Sequence, residues 1–439
     1  MFRIQRVNLA LLVLAGSCVS AALCAAEPDS KWYPKSQGEM KVILTVMEPS
    51  GDASMKELYI QRLKMYRYVV GVPYEDIVWN DEQAKLAHYA SLVCAKLNKL
   101  THTPSKPAGM SDADYKLGKQ GAGQSNLFQG RTHPSRCVDG WMDDSDPKNI
   151  DRVGHRRWCI NPYMLKSGFG TVGRFAAMYA FDRSRKNTPD WDYVAYPARG
   201  YQPMDLFGNR HAWSVSVNPR KYAKPSKKEI KATIQPVDAN LEKMGGPLKH
   251  NYFNVETSGF GSGPAIIFRP DAFSMEANAR YKVTITGLKT KKKQPTKIEY
   301  LVHFVHIQDA PDSPNSRAIM TKHLRKRLDA ALTIKDRPEK LERLIAFSED
   351  RLLPSAEPAL AKEAKDTIAE MLKDPKLQKE RDADRRYKMV VAMEKKAGKN
   401  KRALAEVARV YRDFARVFKG TRAGARAGAD FERLKDALH

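Results

Sequence analysis

The sequence predicts an α+β protein built from three successive segments, and three observations carry that prediction. Apolar residues recur at helical spacing over 55–72 and 80–100 and then give way to period-two strands before 218. Short alternating strands punctuated by Gly and Pro fill 225–310. From 316 to 439 the chain is rich in Ala, Leu, Lys, Arg and Glu with few β-branched residues, the composition of helices. With 439 residues, 42% of them apolar, there is material for a large core and for two to four domains.

The N-terminal residues read as a targeting segment. MFRIQRVNLALLVLAGSCVSAALCAAEP places Arg3 and Arg6 ahead of a short apolar run and then small residues, the layout of a secretory signal peptide over 1–26, cleaved after Ala26. The alternative is lipidation at Cys18, the last residue of AGSC. The run is short for a bilayer span, and no later stretch approaches that length, so no transmembrane segment is expected after the signal. The expected location is secreted, periplasmic or at the cell envelope.

The helices come next. MKELYIQRLKMYRYVVGV carries the first, stopped by GVP. WNDEQAKLAHYASLVCAKLNKL carries the second, where Asn80 followed by Gln83 resembles a capping box. Leu86, Ala90, Val93, Leu97 and Leu100 form its apolar stripe, with Cys94 beside it as a buried thiol. Residues 101–150 are loop-rich, with a short helix around Val138–Asp143. GFGTVG, FAAMYAFD and HAWSVSVN then read as a glycine-rich strand and two further strands. PRKYAKPSKK, 219–228, reads as a linker. ARYKVTITGL and KIEYLVHFVHI alternate as strands of a small Ig-like β-sandwich, 225–310, joined by the exposed loop KTKKKQPTK. His303 and His306 fall on opposite strand faces and make a poor ligand pair. The basic α-helical region, 316–439, includes a helix pair around FKGT.

The formal charge is +26, or +24 without Arg3 and Arg6. Such a charge speaks of partners rather than fold. Anionic envelope polymers and lipid headgroups fit it. Nucleic acid has only the charge in its favour, because no RNP, helix-turn-helix or zinc-finger spacing is present. Beyond the signal, Cys94, Cys137 and Cys159 permit one disulfide with one thiol left over, and the lack of a CxxC pair argues against a cysteine–zinc site.

The chemistry-bearing stretch is GHRRWCINP, 154–162. Read backwards from it, the chain offers VDGWMDDSDPKN, AGQSNLFQG and LTHTP. That order is a helix followed by a histidine, a Gly-Asn loop, a Trp helix, and Gly-His-Arg before a glycine-rich strand. It resembles the CAP superfamily (cysteine-rich secretory proteins, antigen 5 and plant pathogenesis-related 1 proteins), most of all its bacterial SCP-like extracellular members, over 55–218. The resemblance implies an α-β-α sandwich with an open cleft, in which His102 and His155 match the family's histidines and form the candidate metal pair. Gln124 or Ser125 stands where the family's glutamate falls, Asn126 keeps the asparagine, and Asp143 or Asp144 stands for the second acid. It also implies that Cys137 and Cys159 lie close enough for a disulfide.

The substitution of the glutamate has a chemical consequence. Gln and Ser are poor general bases, and two imidazoles hold zinc only weakly where a catalytic site uses three protein ligands. Read without the resemblance, His102 caps a chain turn and His155 centres a buried hydrogen-bond cluster. Arg156 and Arg157 find salt-bridge partners in DDSD, and Trp158 packs into the core, leaving His155 as the member of GHRRWCINP that faces the cleft. Two functions follow: a ligand-binding protein for a small apolar, lipid or anionic molecule, with Zn as a weak cofactor, or a metal-assisted peptidase or esterase using the same cleft. The expectation leans away from an enzyme.

Overall fold

The computed structural model describes residues 30–438 except 50–52, 313, 351, 354–355 and 399. The expected signal peptide and Cys18 lie outside the described residues.

The first helix among the described residues is one that periodicity did not reveal, α1 (Gln37–Met47), capped by Ser36, whose Oγ accepts the Glu39 amide at 3.1 Å. Helix α2 (Met55–Val69) starts in a full capping box between Ser54 and Glu57. After strand β1 (Val78–Trp79) comes α3 (Asp81–Leu97). Asn80 caps α3 through the Gln83 amide at 2.9 Å, but the Gln83 side chain turns to Asp182 instead, so the expected box is only half made. The helix ends at Asn98 in the left-handed region, which puts Leu100 outside the expected stripe and leaves it 37% exposed. Then follow α4 (Asp112–Gln124), β2 (Ser125–Gln129), α5 (Pro134–Asp143), α6 (Gly154–Cys159), β3 (Lys166–Ser167), β4 (Phe169–Val172) and β5 (Phe175–Tyr179).

Strands β2, β5 and β4 form an antiparallel sheet with helices on both faces. The alternation of β5 sorts its side chains between the two layers. Phe175 and Ala177 join Leu127, Ala90 and Val93 under α3 and α4. Ala176 and Met178 join Trp141, Leu63 and Tyr66 on the α2 and α5 side. Glycine decides how closely α3 approaches: a Cβ on Gly170 would lie 2.3 Å from the His88 amide nitrogen, and one on Gly121 would lie 2.0 Å from the Leu86 carbonyl oxygen. GFG is therefore a contact surface for a helix backbone.

The next strands build two facing four-stranded sheets. Strands β6 (Tyr193–Tyr196), β7 (Gly200–Pro203) and β8 (Trp213–Val217) precede residue 218. Strands β9 (Lys231–Val237), β10 (His250–Glu256), β11 (Ala265–Pro270), β12 (Arg280–Lys289) and β13 (Pro295–Val305) follow it. One sheet runs β10-β11-β8-β6 and the other β7-β13-β12-β9. They meet through Trp213 and Phe304, with ring centroids 6.1 Å apart, and through Tyr193 and Tyr300 at 5.8 Å. This corrects the boundary expected near 219, since each sheet takes strands from both sides of it. Period two marked HAWSVSVN as a strand but did not say which sheet it joins. The segment 219–228 is tied down as well: Lys221 pairs with Asp190 and with Asp192, and the Ala223 amide donates to Lys289. A single buried cluster runs from Met40 in α1 to Ile307 past β13.

Among the described residues six α-helices follow: α7 (Ser316–Leu332), α8 (Arg337–Ser348), α9 (Pro358–Met371), α10 (Pro375–Ala397), α11 (Lys401–Val417) and α12 (Arg422–Leu438). They enclose two small cores. Leu324, Leu328, Leu344 and Phe347 pack with Val46 of α1, so the first core is fastened to the body. Val390, Val407, Tyr411 and Phe414 form the second. Among the described residues no helix is long and apolar enough to cross a membrane.

Two predictions follow from this architecture. A fragment ending at Asn218 should show no cooperative thermal unfolding by circular dichroism, because β6 and β8 lose β11, and β7 loses β13. A fragment ending at Asp312 should melt cooperatively. The second prediction concerns acid. His303 is buried on β13 with its Nδ1 3.2 Å from the Tyr33 hydroxyl, and burial pulls its pKa down to about 3, with Arg280 adding to the effect. The unfolded chain binds this proton near pH 6.5 and the folded chain does not, so stability present above pH 6.5 is lost progressively as pH falls toward 3. The loss due to this one residue is at most about 1.4 kcal/mol per pH unit. Urea unfolding at pH 7.5 and 5 should show a smaller loss for His303→Gln than for the parent chain.

Candidate functional site

The site grows from the junction between α5 and α6. Helix α5 ends at Asp144, which takes a left-handed conformation with φ 45° and turns its carboxylate onto the start of α6. Its Oδ2 accepts the amides of His155 at 2.8 Å and Arg156 at 3.3 Å, and its Oδ1 receives the His155 ring Nδ1–H at 2.7 Å. A carboxylate on free helix amides is favourable electrostatics. The same contact keeps a proton on Nδ1 and leaves Nε2 as the ring nitrogen that Asp144 does not engage.

His102 approaches from the loop after α3. Its Nδ1 lies 2.8 Å from the Ala122 carbonyl, which can only accept, so the proton sits on Nδ1 and Nε2 is bare. Burial lowers the His102 pKa, the Ala122 carbonyl opposes this, and His155 and Arg152 reinforce it, so the ring is neutral at pH 7. The two imidazoles, 53 positions apart in the chain, stack at 29° with centroids 6.3 Å apart.

Both rings line one cavity of about 260 Å³. Gly123, Ser125, Asn126, Arg152 and Gly154 complete its polar and backbone wall, and Trp158, Phe181 and Phe260 its apolar wall. Ser125 is 3% exposed and its Oγ has no hydrogen-bond partner. Asn126 is held in place, its Nδ2 donating to the His155 carbonyl at 2.9 Å.

The sequence-derived candidates therefore separate. His102, Ser125, Asn126 and His155 come together. Gln124 does not line the cavity; it ends α4, and its carbonyl accepts the Ala180 amide. Asp144 stands behind His155 and orients it. Asp143 faces the other way, 3.5 Å from His211 Nε2. The left-handed residue at the end of α5 is what assigns these two neighbouring acids to opposite sides.

Other expectations for GHRRWCINP need correction. Arg156 is fully buried and bonds to the backbone carbonyls of Met142, Asp143 and Ala212 rather than to the carboxylates of DDSD. Arg157 likewise donates to the Arg152 and Gly263 carbonyls. Trp158 is largely buried yet still lines the cavity, with Phe181 stacked on it at 4.3 Å. The expected Cys137–Cys159 disulfide is absent: both are buried free thiols, and Cys159 Sγ sits 3.6 Å from both Asn126 Nδ2 and Met178 Sδ. Burial pushes the Cys137 thiol up to about 12 and raises those of Cys94 and Cys159, so all three stay protonated.

Arg152, Phe181 and Phe260 were missed from the sequence. Phe260 lies in SGFGSG, between Gly259 and Gly261, both at positive φ. A Cβ on Gly261 would lie 2.4 Å from the Arg157 carbonyl oxygen, so glycine lets this β10–β11 loop press onto α6 and deliver Phe260 to the cleft. The glycine-flanked aromatic was the available signal.

The residues present fit a divalent ion only in part. Two imidazoles on one tetrahedral ion, at about 2.0–2.1 Å from it, place their centroids roughly 5 Å apart, so the 6.3 Å pair is somewhat open. No group of three or more His, Cys, Asp or Glu side chains that could hold a metal occurs among the described residues. The donor set is thus two Nε2 atoms, with a ligand or water required for the rest.

Asp144→Ala should lower stability by roughly 2–4 kcal/mol, because it strips a buried carboxylate from two amides and an imidazole. Chemical denaturation checks the magnitude, and His155→Ala, which keeps the amide contacts, should cost less. No protein-family model matches the chain, and no curated protein or solved structure matches it either.

Proposed function

We propose that the chain is an exported CAP-type protein of the bacterial SCP-like kind, whose cleft binds a small apolar, lipid or anionic molecule, with a weakly held divalent ion as an accessory. The supporting observation is the imidazole pair. His102 and His155 come from distant parts of the chain, face each other across one cavity, and each commits Nδ1 to a fixed partner while Nε2 stays free. Ser125 and Asn126, from the segment likened to the family's Gly-Glu-Asn loop, line the same cavity. The aromatic wall suits an apolar body, and Arg152, although paired with Asp151 and bonded to the Lys148 carbonyl, sets a cation beside the imidazoles that an anionic end would meet.

His102 and His155 would hold the ion, with Asp144 orienting the second ring from behind. The ion would supply a Lewis-acidic anchor for an oxygen of the ligand. Export rests on the signal-like residues 1–26 alone.

The alternative is a metal-assisted peptidase or esterase. It requires a carboxylate or comparable base within reach of the reacting atom. No Asp or Glu is among the residues lining the cavity, and both Asp144 oxygens are already engaged. Binding is therefore the better-supported reading.

Zinc titration by calorimetry tests the ion. Affinity should fall at least about tenfold in His102→Ala and His155→Ala, and roughly 10–100-fold in Asp144→Asn, which loosens the ring. Affinity should hold above pH 7, where His102 is neutral, and decline as pH falls into the imidazole range and protons compete for Nε2. Equal affinity in the parent and both histidine variants would remove the ion from the proposal. Native mass spectrometry of protein purified from its host, looking for retained lipid or metal, tests the ligand.

A further inference from the structure

Helix α10 has two neighbourhoods. Its first turn contributes Leu377 to the core of α7–α9, and Ala383 and Val390 pack with α11 and α12. Over its second half the opposite side has no apolar partner among the described residues. Arg385, Met389, Ala392 and Lys396 recur there at i, i+4, i+7 and i+11, which is one stripe of the helix, with Met393 alongside. Met389 is 65% exposed and Met393 48% exposed.

The charge around this stripe is one-sided. From Arg385 to Lys419 the sequence has twelve Lys and Arg against three acidic residues, and Asp382 and Asp384 just before it pair with Arg385, Arg386 and Lys388. The three acids within the span do not neutralise the stripe. Glu394 turns inward to Arg433 at 2.8 Å and to the Tyr411 hydroxyl at 2.9 Å, Asp413 is shared by Arg412 and Arg416, and Glu406 lies on α11. Lys395, Lys396, Lys401 and Arg402, around the α10–α11 turn, have no ion pair among the described residues.

We infer that the outer face of α10 and its turn into α11 dock onto an anionic lipid bilayer surface. A helix that sets exposed apolar side chains within a field of lysine and arginine has the chemistry of interfacial binding. The cations meet acidic headgroups, and the flexible thioethers of Met389 and Met393 enter the boundary between headgroups and acyl chains. A soluble acidic polymer would satisfy the cations and leave both methionines in water, so the lipid surface accounts for more of the face. This inference is independent of the cleft.

Cosedimentation of the full chain with phosphatidylcholine vesicles, with and without phosphatidylglycerol, tests it. Binding is expected only to the anionic vesicles, and should weaken at least about tenfold between about 0.05 M and about 0.5 M salt. Met389→Ser combined with Met393→Ser should weaken it roughly tenfold while leaving the thermal melt and retention on a polyanionic resin unchanged, and Met→Leu at both positions should restore it. Lys395→Glu with Lys396→Glu should lose both vesicle and resin binding. Failure to bind anionic vesicles, or binding that the serine variant retains in full, would overturn the inference and leave the face a polyanion site.

Discussion

A guanidinium with no carboxylate partner stands where the two halves of the body meet. Arg156 is fully buried, and its donors reach the Met142 and Asp143 carbonyls at the end of α5 together with the Ala212 carbonyl and Ser214 Oγ at the start of β8. The Tyr196 ring lies 4.6 Å from its carbon centre. A buried charge is tolerable only when dipoles replace its lost water, and a planar fork of five donors can collect several carbonyls at once where lysine cannot. Arg67 repeats the device, bonding to the carbonyls of Pro73, Cys159 and Asn161. These contacts fix α6 between α2, α5 and the sheets. The continuity across 219 comes from the next step, because β8, whose start solvates Arg156, pairs with β11 from beyond that position.

The candidate site depends on that arrangement. Because Arg156 holds the ends of α5 and β8, Asp144 can deliver its carboxylate to the first amides of α6, and His155 acquires a fixed ring without any metal. The partner histidine needs less support, since a single carbonyl sets its tautomer. The cleft is thus preorganised by groups that never touch a ligand. Its apolar wall has a different origin, because Phe260 arrives from a sheet hairpin more than a hundred residues downstream, so the cleft is shared between the helical layers and the sheet that holds β10 and β11.

Legibility in the sequence followed the range of the interaction. Local devices were readable: the Asn80 cap, the helix pair around FKGT, and the alternation of β12 and β13. The juxtaposition of His102 and His155 was readable only through the order of motifs, since no spacing rule links positions so far apart. Partner choice was not readable. HAWSVSVN declared a strand but not its sheet, and a two-residue ambiguity at Asp143 and Asp144 was settled by one left-handed residue. The arginines of GHRRWCINP looked like ion-pair formers beside DDSD, yet carbonyls solvate them, and sequence does not record which carbonyls converge. For the same reason Cys137 and Cys159 looked bridgeable, although Cys159 is turned toward Asn126 and Met178.

The charge of +26 resolves into populations with different meanings. Arg67, Arg156 and Arg157 are interior cations whose work is to organise carbonyls, and they add nothing to the surface field. Others are spent in surface pairs such as Arg325 with Glu363, which have little bearing on stability in water. Part of what remains lies at the α10–α11 turn, where Lys395, Lys396, Lys401 and Arg402 have no ion pair among the described residues and stand beside two exposed methionines. Net charge alone would spread an anionic partner over the whole molecule. Once buried and paired cations are set apart, cations without an ion pair among the described residues lie on the β12–β13 loop (Lys291, Lys292 and Lys293) as well as on the terminal helices, while the cleft has a single arginine among its lining residues. The charged surface and the cleft are therefore separate devices on one chain, and altering either should leave the other intact.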